Sequence, residues 1–240
     1  MGGYRPVPAP TVDVALETSR REASLALLVD GVRFADELGE RAHASDLLAR
    51  LAELLARAGV TRREGRLPLR AVFAGLGPGS YTGLRVGLAT AQALARASDA
   101  ALFGLSSFDA LAFRELAAGE EGAVVQDARA GRFYHARYRR SERGLEVCEA
   151  PAALTAEELC VRCARPGVIL GHAGLADAAG LAPEVRARLR TDARPSAAAL
   201  LELARARVES GELAPSHALE PLYLAAFGTG RDVPPGPAAR

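Results

Sequence analysis

Apolar residues fall into two rhythms along this chain, short continuous runs and helical repeats, and their alternation predicts its elements. VDVALE (12–17) reads as a buried strand and ASLALLV (23–29) as its successor. Asp30-Gly31 is a hairpin signal, which makes VRFADEL (32–38) a third strand. Leu47, Leu51, Leu54, Leu55 and Ala58 then recur at helical spacing and predict a helix over 45–58. Asp46 in its first turn suits the helix dipole, and Gly59 suits a C-cap. Asp46/Arg50 and Glu53/Arg57 are spaced as i,i+4 ion pairs. RAVFAG (70–75) is a short strand, GLGPGSYTG (75–83) a glycine-rich loop and 82–97 a helix. ALFGL (101–105) predicts a strand and 107–117 a helix.

The second half repeats the opening. GAVVQD (122–127) is a strand that ends in an acid, as VDVALE does. A turn at 128–131 leads to RFYHARY (132–138), and a turn at 141–144 leads to LEVCE (145–149). A helix (155–164), a strand (168–170) and a helix near 196–208 follow. Twice, a strand ending in a carboxylate opens a three-stranded meander followed by a helix. Such a repeat predicts duplicated α/β halves, the logic of the actin-like (ASKHA, ribonuclease H-like) two-lobe fold with mixed sheets flanked by helices. The expected division is a first lobe over 11–106, completed by 196–228, and a smaller second lobe over 107–195. Residues 1–10 and 229–240, rich in Pro and Gly, predict disordered tails.

Composition narrows the function classes. Hydrophobic residues at 49% and charged residues at 25% fit a globular chain with a sizeable core. A formal net charge of +1 gives no global positive field for nucleic acid. Every basic residue is arginine; Arg137, Arg139 and Arg140 are the candidates for a local patch, or else a solvated strand edge. Tryptophan is absent, so the stacking platform of a single-strand binder is not evident. Cys148, Cys160 and Cys163 make no disulfide framework, and the Cys160/Cys163 pair falls late in its helix, away from the N-terminal turn that activates a thiol. The N-terminus lacks the apolar core of a signal peptide, and no apolar run reaches the roughly 20 residues of a membrane span. The expected compartment is the cytoplasm, with no membrane partner.

The loop GLGPGSYTG lies between a strand and a helix, where backbone N–H groups can hold an anion. It matches neither a Walker loop nor GxGxxG, since the third position after each glycine pair is Ser80 or Thr82. Pro78 stands two residues before Ser80, so a nucleophile elbow fails as well. The candidate anion or nucleotide residues are therefore Gly77, Gly79, Ser80 and Thr82, with the strand-end carboxylates Glu17 and Asp127; the other reading of Asp127 is a turn aspartate. In the helix that follows, Gly83 and Gly87 share a face. Each costs about 1 kcal/mol relative to alanine, so close approach of another backbone is expected there, inside the fold or across an interface.

DVALETSRREASLALLVDG, AGLGPGSYTGLRVGLATAQALA, GLSSFDALA, QDARAGRFYHARY and EPLYLA (220–225) together resemble the TsaB (YeaZ) family, in order and spacing, over about residues 11–227. The resemblance implies an actin-like subunit, itself non-catalytic, that binds TsaD together with the ATPase TsaE in the N6-threonylcarbamoyladenosine modification of ANN-decoding tRNAs. It implies contact through the helices 45–58 and 82–97, with Leu47, Leu51, Leu54, Arg85, Gly87 and Leu94 in or beside it. The same face allows a homodimer. No cofactor is required of this chain, with ATP or ADP held weakly at the partner interface at most, and tRNA contact is indirect or weak. Where the family usually has Asp at the end of the first strand, this chain has Glu17, and no glycine follows it before the next strand. The catalytic relative binds metal through HxxxH; here His43 is followed at i+4 by Leu47, and His135, His172 and His217 are isolated. The alternatives are an independent actin-like ATPase or small kinase, which Glu17 argues against, and a metallopeptidase, which the missing HxxxH argues against.

Overall fold

The computed structural model describes residues 11–39 and 46–224; His43 and the expected tails at 1–10 and 229–240 lie outside them. In chain order the elements are β1 (Val12–Glu17), β2 (Ser24–Val29), β3 (Val32–Glu37), α1 (Asp46–Arg57), β4 (Leu69–Gly75), α2 (Tyr81–Ser98), β5 (Ala101–Leu105) and α3 (Ser107–Glu115). There follow β6 (Glu121–Arg129), β7 (Arg132–Ser141), β8 (Gly144–Thr155), α4 (Ala156–Ala164), β9 (Val168–Leu170), α5 (Leu175–Ala178), α6 (Pro183–Arg186), β10 (Leu189–Arg190) and α7 (Ala197–Glu209).

These strands build two five-stranded sheets of one topology. The first runs β3-β2-β1-β4-β5 and the second, read from its hairpin edge, β8-β7-β6-β9-β10. In each, the first three strands in sequence pair antiparallel and the last two join parallel. Asp30 (φ 48°) and Gly31 (φ 87°) both take left-handed backbone, the geometry a two-residue turn needs between twisted strands. β10 and the one-turn helices α5 and α6 are too short to leave a periodic signature in sequence.

Alternation along β1 sorts side chains to two faces. Val12, Val14 and Leu16 join Leu25 and Leu27 beneath α1 and α2, which contribute Leu47, Leu51, Leu54, Leu55, Leu88 and Ala91. Ala15 and Ala26 turn the other way, against Leu200, Leu203 and Ala204 of α7. The chain thus returns to the first sheet after completing the second. α3 lies between the lobes: its Phe108, Leu111 and Ala112 pack with Val124, Ala136 and Tyr138 of the second sheet.

Two expected ion pairs are corrected. Arg50 meets Glu53 at 3.0 Å, one residue closer in sequence than Asp46, and Arg57 reaches across to Asp36 of β3 at 3.8 Å rather than back to Glu53. Gly59, at φ 69°, is the left-handed residue that ends α1.

Candidate functional site

The glycine-rich loop closes on the segment that follows β1. Ser80 N–H donates to Ser19 O at 2.6 Å, Gly77 N–H donates to Ser107 Oγ at 3.2 Å, and Ser107 N–H donates to Gly77 O at 2.8 Å. Ser80 Oγ caps α2 by accepting from Gly83 N–H at 3.3 Å. The donors of Gly77 and Ser80 are therefore engaged by the protein itself. The glycines make room for the same segment. A methyl group on Gly79 would overlap the Ser19 carbonyl, one on Gly83 the Thr18 carbonyl, and one on Gly87 the Thr18 hydroxyl. At Gly75 it would overlap the Glu17 carboxyl and stand 2.9 Å from Ser107 Oγ. Close approach inside the fold thus offsets what each helical glycine costs.

Glu17 is 1% exposed. Its Oε1 accepts from Ser19 N–H at 2.7 Å, while Oε2 and the buried Ser19 Oγ have no hydrogen-bond partner. Burial is the largest influence on its carboxyl and pushes its pKa up; the hydrogen bonds around it pull the other way. Gly77, Gly79, Ser80 and Glu17 are accordingly gathered, but into a closed cluster. Thr82 is exposed on the first turn of α2. Asp127 stands exposed at the end of β6 in the other sheet, where its Oδ1 accepts from Arg129 N–H at 2.6 Å as a turn aspartate does. Thr18, Ser19 and Ser107 complete the cluster. The sequence signal for Thr18 was the Gly83/Gly87 face, which asked for a close neighbour without naming it.

The expected docking residues divide. Leu47, Leu51 and Leu54 are 3%, 2% and 0% exposed, in the core under α1, because a helix on a sheet turns its leucine stripe inward. Gly87 is buried against Thr18. These four are corrected from contact surface to interior. Leu94 is half-buried against the first core, and Arg85 is exposed, donating from Nη1 to the Tyr81 hydroxyl at 2.6 Å. The outward face carries Leu48, 56% exposed, with Ala49, Ala52 and Ala56 on α1, and Arg85, Ala89, Ala93 and Ala97 on α2. Residues 220–224 of EPLYLA meet α2 and the strand end before it: Leu222 N–H donates to Leu76 O at 2.8 Å, and Tyr223 stacks on Tyr81 with centroids 5.2 Å apart.

In the second lobe, polar groups hold one another. Arg137 is buried, bonded through Nε to Glu121 at 2.6 Å and to the Pro166 carbonyl. Arg139 meets Glu121 at 2.8 Å, and Arg140 lies over the Phe113 ring at 3.9 Å. Around Arg137 opens a cavity of about 740 Å³ whose other guanidiniums, Arg165, Arg188 and Arg190, are likewise bonded within the chain. His135 is buried, and desolvation lowers its pKa to about 4, so it is neutral at pH 7. Cys163 is buried, its thiol raised to about 11, which makes it an inert core residue. Among the described residues no group of three His, Cys, Asp or Glu could hold a metal, and no helix is long and apolar enough to cross a membrane.

Two sheets of identical order, each opened by a meander and closed by parallel strands, define a duplicated actin-like protein of two lobes. The family model described as TsaD: tRNA N6-adenosine threonylcarbamoyltransferase matches residues 34–167. The tRNA threonylcarbamoyladenosine biosynthesis protein TsaB of Escherichia coli is 32% identical over 150 residues, covering 61% of this chain and 63% of that protein. TsaB of Haemophilus influenzae is 36% identical over 124 residues, 50% of this chain and 51% of that one. The matches thus span less than two thirds of these relatives' length. The solved structure of YeaZ from Pseudomonas aeruginosa superimposes with a TM-score of 0.73 at 28% identity, over 89% of this chain and all of that one. The chain belongs to this threonylcarbamoyladenosine family, on its TsaB (YeaZ) branch.

Proposed function

We propose that this chain is a non-catalytic subunit in tRNA N6-threonylcarbamoyladenosine synthesis, which docks a TsaD-type transferase through the outward face of α1 and α2 and holds it in its active form. The observation that carries the non-catalytic reading is the closed cluster under the glycine-rich loop. In actin-like kinases a strand-end carboxylate and an open turn hold Mg-nucleotide. Here Thr18 and Ser19 fill the glycine-lined space, and Ser19 and Ser107 accept from the loop's donors. The exposed strip of Leu48, alanines and Arg85 supports docking, because small side chains let a second helix pair approach closely. TsaE joins through the partner, a homodimer uses the same face, and any ATP or ADP sits at the partner contact. The compartment is that of tRNA, the cytoplasm.

The test is a reconstitution with a TsaD-type partner, TsaE, threonylcarbamoyl-adenylate and tRNA. Transfer requires this chain, while the chain alone neither transfers the group nor hydrolyses ATP. Turnover of ATP by the purified chain alone would favour an independent ATPase instead.

A further inference from the structure

We propose that the arginine hairpin between α1 and β4 binds RNA phosphates directly, an inference that rests on the tRNA-modifying role proposed above. The chain leaves the core at the buried Val60 and rejoins it at the half-buried Leu67, and Thr61 to Arg66 between them are exposed throughout. Arg63 N–H donates to Arg66 O at 2.8 Å and Arg66 N–H to Arg63 O at 2.9 Å. Glu64 (φ 50°) and Gly65 (φ 81°) turn the chain between them, as a two-residue hairpin requires. Arg63 and Arg66 are thereby a directly opposed pair with side chains on one face. Arg62 adds a third guanidinium, its Nη1 donating to Gly65 O at 2.9 Å.

Like charges placed directly opposite destabilise a hairpin, and no acid among the described residues pairs with Arg63 or Arg66. An anion on that face removes the repulsion. Arg96 stands at the same end of the first sheet. It is exposed and without an acid partner among the described residues, in the last turn of α2, which delivers the chain to β5. β5 pairs parallel with β4 through Ala101 and Ala71, so the last turn of α2 and the hairpin both precede strands at the same end of the sheet. The three arginines of the second-lobe strand edge differ: Arg137 and Arg139 are bound to Glu121, and Arg140 lies on Phe113. The hairpin carries no aromatic residue, so it offers phosphate contacts without base stacking, which position an RNA rather than read its sequence.

The experiment is fluorescence anisotropy of labelled tRNA against the full chain, across a salt series. The wild type is compared with the triple variant Arg62→Gln, Arg63→Gln, Arg66→Gln and with Arg143→Gln, an exposed control in another turn. Pairing with a TsaD-type partner is followed for each by light scattering. The triple variant is expected to lose at least about tenfold in affinity at low salt, with the log–log salt slope shallower by about 2, while Arg143→Gln and partner pairing are unaffected. Wild-type affinity and slope in the triple variant, an equal loss in Arg143→Gln, or no tRNA binding by a wild type that pairs normally would each overturn the proposal. Failure of the wild type to pair would instead overturn the docking role.

Discussion

The hydroxyl of Tyr138, buried in the second sheet, donates to Asp109 Oδ1 on α3 at 3.0 Å. Oδ2 of the same carboxylate accepts from Arg207 Nη1 of α7 at 3.0 Å. One side chain thus ties β7 of the second lobe to the helix that packs on the first. Burial, then the charge of Asp109, hold the Tyr138 pKa well above its ordinary value, so it remains a donor. Asp109→Ala leaves both donors without their acceptor and is expected to cost about 3 kcal/mol in urea unfolding, against about 1 kcal/mol for Tyr138→Phe. Losses under half these values in both would show that the lobes are held together elsewhere.

Gly87 packs against Thr18, whose side chain lies where a methyl group on Gly87 would go. Gly87→Ala forces the helix off the segment after β1 and is expected to destabilise by about 1–3 kcal/mol, with partner affinity unchanged in the protein that remains folded. Thr18→Gly, which removes the opposing side chain, should recover part of the loss in the double variant. A thermal-melt cycle measures this coupling, and strict additivity would mean the two residues are independent.

Glu17 makes stability depend on pH with a definite sign. Its folded pKa is raised above the unfolded value of 4.5, so its favourable contribution is complete below that value and is lost as pH rises through the folded one. Glu17→Gln keeps an acceptor for Ser19 N–H, offers a donor in place of the unpartnered Oε2, and carries no charge to bury. The variant should be more stable than wild type at pH 7 by about 1 kcal/mol or more, and no more stable at pH 4. Denaturant melts at the two pH values decide it; a variant less stable at pH 7 would mean that the charged carboxylate is required.

Leu48 and Leu51 lie one turn apart on α1, Leu48 on its exposed flank and Leu51 in the core, at 56% and 2% exposure. Leu51→Arg buries a guanidinium in the core and should leave little folded protein by circular dichroism. Leu48→Arg should keep the wild-type melting temperature within about 2 °C and reduce partner affinity at least tenfold. Loss of folding in Leu48→Arg would place that residue in the core as well.

Periodicity and turn chemistry were sufficient for every strand but β10, because each hairpin announces itself in residues such as Asp30-Gly31 and each buried run in its β-branched and leucine content. The repeat of VDVALE in GAVVQD carried the duplication. The direction of the leucine stripe was legible in kind but not in purpose: Leu47, Leu51 and Leu54 mark the inner face of α1, and an apolar stripe reads alike whether a sheet or a partner covers it. The closed cluster was half legible. Gly83 and Gly87 announced a close approach, but Thr18, Ser19 and Ser107 come from two other segments that only the fold brings there. Pairings made between a helix and a strand, such as Arg57 of α1 with Asp36 of β3, have no local signature at all.

The most direct test of the docking claim is light scattering after size-exclusion chromatography of this chain with a TsaD-type partner, repeated with Leu48→Arg. The account predicts a stable mixed complex for the wild type and separate peaks for the variant. A variant that still co-elutes with the partner would contradict the assignment of the α1–α2 face, and a wild type that never forms the complex, even with TsaE and ATP added, would contradict the subunit role itself.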